Sequence, residues 1–160
     1  MEIMQTAIDK NSNIYGIVIG AGVLEDEIKA KHKGLNLESK VFFAGLQSQV
    51  KPYYEAMDIF MMCSSFEGLP IALLEAMSMN CAIVSTNAGG IKEVLRHEID
   101  GLMVDVDNWK ELSASIVELV ENSAKMSHLQ SKARSRVENS FSLGAMVQEL
   151  ETLYLTHKKW

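Results

Sequence analysis

The sequence predicts an α/β fold, because short apolar runs alternate with longer segments of helical period as far as residue 104. Beyond that residue the pattern is helical throughout. Of the 160 residues 48% are hydrophobic, which suffices for one globular domain with its own core. Together these observations predict a single domain over residues 1–160: a Rossmann-like parallel sheet with helices on both faces, closed by C-terminal helices.

Five segments are apolar at nearly every position, as expected of strands covered on both faces. They are Ile14–Ile19, Val41–Phe43, Ile59–Met62, Ala82–Ser85 and Leu102–Val104. Helical spacing of apolar residues predicts helices over Leu24–Lys33, Ser48–Met57, Ile71–Met79 and Ile91–Arg96, then three closing helices with apolar stripes over Trp109–Val120, Met126–Val137 and Leu143–Tyr154. The first segment, Ile3–Ile8, is also helical and leads directly into a strand, so the chain begins in a helix with no preceding strand and we expect missing sequence upstream of it.

Charge and cysteine content argue against several classes of protein. The chain has 15 Lys and Arg against 21 Asp and Glu, a formal net charge of −6, and no basic stripe interleaved with aromatics, so no nucleic-acid partner is expected. No apolar run approaches a membrane span, and the acidic N-terminus does not resemble a secretory signal, which predicts a cytoplasmic location. Cys63 and Cys81 lack metal-ligand spacing and are interpreted as buried, reduced thiols.

The loop after the third predicted strand, Ser64–Pro70, has the strongest chemical signature. Ligands of open α/β sheets bind beyond the carboxyl ends of strands. Gly68 leaves room for close approach, and Pro70 suits the first position of a helix, whose free N–H groups favour a diphosphate. Glu67 lies on the loop, and Glu75, one turn into the helix, is either a ligand of the two ribose hydroxyls or an ordinary surface acid.

This loop and the helix after it resemble the sequence signature of a known enzyme family. The segment Glu67-Gly-Leu-Pro-Ile-Ala-Leu-Leu-Glu75 is similar to the Glu-x7-Glu signature of the retaining glycosyltransferases of family 4, also called group 1. Further stretches of the chain resemble that family in the same order, from about Ile3 to Tyr154: Ile17–Gly22, Phe43–Gly45, Ala88–Val94 and Gly101–Val104.

The resemblance implies the C-terminal, donor-binding domain of a GT-B enzyme. Such an enzyme, a hexosyltransferase here, moves a sugar from a nucleotide-diphosphate sugar to an acceptor with retention and without a metal or other cofactor. Surface polysaccharide or glycolipid synthesis is the implied setting, in a cytoplasmic parent enzyme whose peripheral association with the inner membrane face is left open. The N-terminal acceptor domain, and the family's diphosphate-binding Arg and Lys, would lie upstream, so the 160-residue chain would be an inactive fragment.

The resemblance also implies roles for single residues. Glu75 would hold the ribose, and Glu67 would face the donor sugar as the catalytic residue. The diphosphate would lie along Gly68, Leu69, Pro70 and Ile71, with every main-chain N–H but that of Pro70 available to it. Gly45 and Leu46 would border the nucleobase, and Gly20 and Gly22 would form the floor of the cleft. Many relatives have Phe-Gly where this chain has Leu69-Pro70, so the donor sugar is left open.

Competing interpretations remain at this stage. A sugar-nucleotide epimerase half would need its own acid and base, and a non-catalytic nucleotide-sugar-binding module is the second alternative. Asp105-Val-Asp107 imitates a metal-nucleotide motif, but helix capping before Trp109 explains it better and no metal is expected. Gly20-Ala-Gly22 is an incomplete dinucleotide fingerprint.

The apolar stripe Leu143–Tyr154 is expected either to pack on its own sheet or to pair with a second copy of the chain.

Overall fold

The computed structural model describes residues 1–156, and residues 157–160 of the predicted domain lie outside them. Strands and helices alternate as far as residue 104, and three helices follow. The strands are β1 (Gly16–Ile19), β2 (Val41–Gly45), β3 (Ile59–Met62), β4 (Ala82–Thr86) and β5 (Leu102–Val104). The helices are α1 (Glu2–Lys10), α2 (Glu25–Gly34), α3 (Lys51–Ala56), α4 (Ile71–Ser78), α5 (Ile91–Val94), α6 (Trp109–Glu121), α7 (Ser123–Ser140) and α8 (Leu143–Thr156). Each predicted element is therefore present, with ends shifted by a few residues.

The strands form two parallel sheets rather than one. Strand β1 pairs with β2, and β4 pairs with β3 on one side and with β5 on the other. All pairs are parallel, so the loops that follow the strands lie at the carboxyl edges of their sheets. No hydrogen-bonded strand within residues 1–156 connects β1 to β3.

Two apolar clusters cover the two faces of the β3–β4–β5 sheet. Val84 of β4 belongs to the first cluster, which includes residues of α1 and α6. Its neighbour Ile83 points the other way, into a second cluster formed with α3, α4, α5 and α7. Every residue of β4 is buried, because this strand is paired on both edges and covered on both faces. This confirms the predicted α/β architecture with helices on both faces.

The β1–β2 sheet is covered on one face only, so the expectation of strands covered on both faces is wrong for this pair. Helix α1 places the Met4 side chain against Gly16, and the ring of His32, from α2, meets that of Phe43 edge-on at 5.1 Å between centroids. On the opposite face Ile17 and Phe42 are 40% and 51% exposed. No helix within residues 1–156 covers that face, which is the physical reason for the difference.

Helix α8 extends along the outside of the domain. None of its side chains within residues 143–156 is buried, although its apolar residues follow the spacing of a buried stripe. The first of the two expectations, that this stripe packs on its own sheet, is therefore wrong. The second, pairing with another copy, stays a prediction.

Candidate functional site

Glu67 lies on the loop between β3 and α4 and is held there by two hydroxyl groups. The Ser64 hydroxyl donates a hydrogen bond of 2.6 Å to Oε1 of Glu67. The Thr86 hydroxyl, at the end of β4, donates one of 2.6 Å to the Ser64 carbonyl. The Glu67 carboxylate is half-buried and keeps its second oxygen, Oε2, without a hydrogen-bond donor in residues 1–156. It is therefore oriented on one side and available to a ligand on the other.

The Gly89-Gly90 turn after β4 fixes the backbone of the same loop. The N–H of Gly90 donates to the Glu67 carbonyl at 2.9 Å. A Cβ at position 89 would lie 2.1 Å from the Glu67 carbonyl oxygen, and one at position 90 would lie 1.9 Å from that of Gly68. Gly89 also has a φ of +53°, in the left-handed region. Only glycines allow two main chains to approach so closely, so this turn positions Glu67.

The N-terminus of α4 follows directly and has no side-chain cap. Pro70 is the N-cap rather than the first helical residue, with φ −79° and ψ 83°. The Ile71 N–H donates to the Leu69 carbonyl at 3.0 Å, so the expectation that it is free for a diphosphate is wrong. The N–H groups of Gly68 and Leu69, and that of Ala72, have no acceptor within residues 1–156. Three donors at the positive end of a helix remain for an anion.

Glu75 is oriented by a tyrosine from α3. The Tyr54 hydroxyl donates a hydrogen bond of 3.0 Å to Oε2 of Glu75. Tyr54 is only 7% exposed, and burial, followed by the hydrogen bond to Glu75, raises the pKa of its phenol well above the usual range. The Glu75 carboxylate itself is exposed, and Oε1 has no donor in residues 1–156. A surface acid held in this way is prepared to accept hydrogen bonds from a ligand.

The two glycine loops beyond β1 and β2 lie against each other. The Gly20 N–H donates to the Gly45 carbonyl at 2.8 Å, and the two residues have φ of +124° and +66°. A Cβ at Gly22 would meet open space, and the neighbouring Leu46 side chain is 82% exposed. These predicted floor and nucleobase residues therefore form one open, partly apolar surface.

The site residues thus fall into two groups at the carboxyl edges of the two sheets. One comprises Gly20, Gly22, Gly45 and Leu46, and the other comprises Glu67, Gly68, Leu69, Pro70, Ile71 and Glu75. No hydrogen bond within the described part of the chain joins the two groups.

Beside the second group a pocket is lined by Ile3 of α1 and by Cys63, Ser64, Thr86 and Asp107, among others. Cys63 is exposed there, so its predicted burial is wrong: it follows β3, whose outer edge is unpaired. Cys81 is buried, as predicted.

The acidic pair Asp105 and Asp107 does not act as the predicted helix cap. The N-cap of α6 is Asn108, whose side-chain amide donates to Glu111, while Asp107 lies in a turn with φ +72°. Asp105 takes part through its carbonyl, which accepts from the Asn108 N–H at 3.1 Å. Among residues 1–156 no group of three or more His, Cys, Asp or Glu side chains could hold a metal ion.

Comparison with known families identifies the chain. Residues 2–136 match the family described as glycosyl transferases group 1. The chain belongs to the group 1 glycosyltransferases. It is 32% identical, over 121 residues, to N-acetylgalactosamine-N,N'-diacetylbacillosaminyl-diphospho-undecaprenol 4-alpha-N-acetylgalactosaminyltransferase of Campylobacter jejuni. The match covers 75% of this chain but only 33% of that enzyme, so this group 1 chain spans about a third of its relative.

Two solved structures share the fold of this group 1 chain. Anabaena Alr3699/HepE, crystallised in complex with UDP, superposes with a TM-score of 0.87 at 21% identity, over 98% of this chain and 45% of that one. The C-terminal domain of the group 1 protein LpcC from Francisella tularensis superposes with a TM-score of 0.81 at 23% identity, over 89% and 77% of the two chains. The architecture is therefore that of a GT-B glycosyltransferase domain.

Sequence analysis missed the residues that hold the two glutamates: Tyr54, Ser64 and Thr86. Tyr54 precedes Glu75 by 21 positions, and no sequence pattern connects them. An available signal was that a tyrosine on an otherwise apolar helix face needs a partner for its hydroxyl.

No helix within residues 1–156 is long and apolar enough to cross a membrane.

Proposed function

We propose that residues 1–160 form one domain, the donor-binding domain of a longer, retaining glycosyltransferase of family 4. The parent enzyme transfers a sugar from a nucleotide-diphosphate sugar to an acceptor held by its other domain, in surface polysaccharide or glycolipid synthesis. The C. jejuni relative, whose name specifies a lipid-diphosphate-linked acceptor, and the UDP bound by HepE support this choice. The parent would act in the cytoplasm, where peripheral attachment to the inner membrane face would bring it to such an acceptor.

The observation that carries the proposal is the placement of two oriented carboxylates beside an uncapped helix N-terminus. Glu67 and Glu75 each keep one carboxylate oxygen free. The unpaired N–H groups of Gly68, Leu69 and Ala72 lie between them in the chain. A diphosphate on these N–H groups would have a polyhydroxyl group on each side, because a nucleotide sugar carries a ribose at one end and a hexose at the other. The arrangement therefore matches the order of groups in the donor.

Each residue then has a defined task. Glu75 accepts hydrogen bonds from the ribose hydroxyls, and the Gly68 and Leu69 N–H groups stabilise the negative charge that grows on the diphosphate as it leaves. Glu67 faces the donor sugar as the catalytic residue. Gly45 and Leu46 border the base, and Gly20 and Gly22 form the floor. Since main-chain N–H groups and a helix dipole supply positive potential, we propose transfer without a metal.

Ligand binding tests the assignment. We expect weak binding of UDP, GDP or ADP by calorimetry, and ribose-proton contacts in ligand-observed NMR. Glu75→Ala should weaken binding by about tenfold or more, because charged hydrogen bonds contribute about 1.5–3 kcal/mol. The matched control is Glu121→Ala, an exposed acid at the end of α6. Unchanged ribose contacts in Glu75→Ala would show that Glu75 does not hold the ribose.

Activity assays test the domain assignment separately. The 160-residue chain alone should transfer no sugar, because the reaction needs donor and acceptor held together. Product formation is measured with a panel of sugar nucleotides and acceptors, with and without EDTA. Turnover by the pure chain would contradict its assignment as one domain of a longer enzyme. Turnover that EDTA abolishes would indicate a metal ion bound by Asp105 and Asp107.

A further inference from the structure

Glu67 and Glu75 are supported by different parts of the fold. Glu75 accepts its hydrogen bond from Tyr54 of α3, whereas Glu67 accepts from Ser64, which precedes it by three positions on the same loop. No side-chain hydrogen bond within residues 1–156 joins the Tyr54–Glu75 pair to the Ser64–Glu67 pair. A substitution can therefore disturb the orientation of one carboxylate and leave that of the other unchanged.

The backbone that carries Glu67 is attached at two points to strand β4 and the turn after it. The hydroxyl of Thr86, the last residue of β4, donates to the Ser64 carbonyl at 2.6 Å, and the Gly90 N–H donates to the Glu67 carbonyl at 2.9 Å. Thr86 is only 6% exposed, and every residue of β4 is buried. Both ends of the segment 64–67 are thus fixed to the core of the domain.

Because this backbone is fixed, the direction of the Glu67 carboxylate depends on the rotamer of its side chain. Within residues 1–156 the Ser64 hydroxyl is the one donor to that carboxylate, at 2.6 Å from Oε1. A hydrogen bond from a hydroxyl to a carboxylate is stronger than one between neutral groups. The hydroxyl at position 64 therefore selects one rotamer of Glu67 and leaves Oε2 as the oxygen that a ligand can use.

We propose that Ser64 is a positioning residue for the sugar half of the donor. The inference rests on the proposed role of Glu67, which faces the donor sugar, and adds a division of work between the two supports. Ser64 determines how well the sugar is held, and Tyr54 determines how well the nucleotide is held. Loss of the Ser64 hydroxyl therefore weakens only the contacts that a nucleotide sugar makes and a nucleoside diphosphate does not.

A comparison of two ligands distinguishes this positioning role from a role in loop stability. A change that loosened the whole loop would weaken both ligands, because the Gly68 and Leu69 N–H groups proposed for the diphosphate follow directly after Glu67. A change that releases only the Glu67 carboxylate weakens the nucleotide sugar and leaves the nucleoside diphosphate as it was. The ratio of the two affinities is therefore the quantity that reports positioning.

Calorimetry with UDP-glucose, UDP-N-acetylglucosamine, GDP-mannose and ADP-glucose, each beside its own nucleoside diphosphate, measures this ratio. For the sugar that the unsubstituted chain binds most tightly, Ser64→Ala should lower the affinity by about threefold to tenfold and leave that for the diphosphate within about twofold. Ser64→Thr keeps the hydroxyl and should restore the ratio. Ser65→Ala is the matched control, because Ser65 is exposed and its side chain makes no hydrogen bond within the described residues.

Tyr54→Phe should give the opposite pattern, because the ribose that Glu75 is proposed to hold is present in both ligands. It should weaken the nucleotide sugar and the diphosphate by the same factor. In the double variant with Ser64→Ala, the two effects on the nucleotide sugar should multiply to within about twofold, since the two supports share no partner. A larger departure from that product would show that the supports are coupled and would contradict the division of work.

Glu67→Ala separates a failure of this inference from a failure of the proposed function. If Glu67→Ala weakens the nucleotide sugar and Ser64→Ala does not, Glu67 holds the sugar without Ser64 and the positioning role is wrong. Equal losses for both ligands in Ser64→Ala would assign the hydroxyl to loop stability and overturn the role as well. If Glu67→Ala binds every nucleotide sugar as the unsubstituted chain does, the proposed role of Glu67 is itself wrong, and the inference fails with it.

Discussion

The phenol of Tyr54 donates a hydrogen bond of 3.0 Å to Oε2 of Glu75 and so connects helix α3 to helix α4 at the candidate donor site. The same tyrosine accepts, through its carbonyl, a contact of 3.4 Å from the Cys81 thiol. Its ring packs at 5.9 Å between centroids from that of Phe60 on β3. Tyr54 therefore links the core beneath the sheet to a carboxylate that is open to ligands.

Removing this hydroxyl should affect binding more than folding. We expect Tyr54→Phe to weaken nucleoside diphosphate binding by roughly threefold to tenfold, because Glu75 is no longer held in one orientation. Stability should fall by no more than about 1 kcal/mol, since the ring packing stays and the partner carboxylate is exposed to water.

Calorimetry with UDP and urea denaturation measure the two effects. Tyr53→Phe is the matched control, because Tyr53 adjoins Tyr54 on α3 and makes no side-chain hydrogen bond within the described residues. Equal affinities of Tyr54→Phe and of the parent chain would contradict a positioning role for Tyr54.

The second prediction concerns the close approach of two loops. Gly90→Ala should destabilise the fold by at least about 2 kcal/mol, because its Cβ would lie 1.9 Å from the Gly68 carbonyl oxygen. Even if the chain accommodates the methyl group, the loop that holds Glu67 must move, and nucleotide binding should weaken with it.

Gly34→Ala is the control for this substitution. A Cβ there would meet open space and the backbone is not left-handed, so we expect a change below about 1 kcal/mol. Urea denaturation compares the two variants. A Gly90→Ala protein as stable as Gly34→Ala would show that the Gly-Gly turn does not position the Glu67 loop.

The alternation of apolar runs predicted the order of strands and helices, because burial on both faces leaves a clear pattern. Glu67 and Glu75 were also predictable, since both belong to one continuous segment. Contacts between distant segments were not predictable, because no local sequence pattern relates Thr86 to Ser64, or the buried Asp100 to Arg136. Periodicity also could not tell whether the α8 stripe packs on its own sheet, because the pattern is the same whatever covers it.

The outer edges of β1 and β3, which have no partner strand within residues 1–156, show the same limit of prediction from sequence. Ile17 and Ile59 are as apolar as residues of the fully paired β4, so the sequence suggests one continuous sheet. Pairing depends on which strands are present to be neighbours, and that information lies outside each strand.

The third prediction concerns pH. Burial, with a smaller contribution from the charge of Asp58, raises the pKa of the Cys81 thiol from 9.0 to about 11. The folded state therefore keeps this proton at a higher pH than the unfolded chain does. The resulting stabilisation is complete below pH 9 and is lost as the pH rises toward 11.

Urea denaturation under reducing conditions, from about pH 8 to pH 11, measures this dependence. The fall in unfolding free energy should be less steep in Cys81→Ala than in the parent chain. Cys63→Ala, at the exposed cysteine, should follow the parent. Identical slopes in the parent and in Cys81→Ala would contradict the raised pKa.

The last prediction concerns the apolar stripe of α8. Six residues form it on one side of the helix, and all of them are exposed: Leu143, Met146, Val147, Leu150, Leu153 and Tyr154. An uncovered apolar patch of this kind favours association, so we expect the chain to self-associate as its concentration rises. Leu150→Lys should reduce that association and change stability by no more than about 0.5 kcal/mol, because Leu150 is already 43% exposed.

Light scattering over a concentration series, together with urea denaturation, tests this expectation. Gln148→Lys is the matched control, since it adds the same charge to the same helix on the side opposite the stripe. It should associate like the parent chain, because the stripe is intact. A parent chain that stays monomeric throughout would show that the stripe does not pair copies. If Leu150→Lys unfolded instead, Leu150 would have to be buried within its own domain, which would contradict its 43% exposure in the structure.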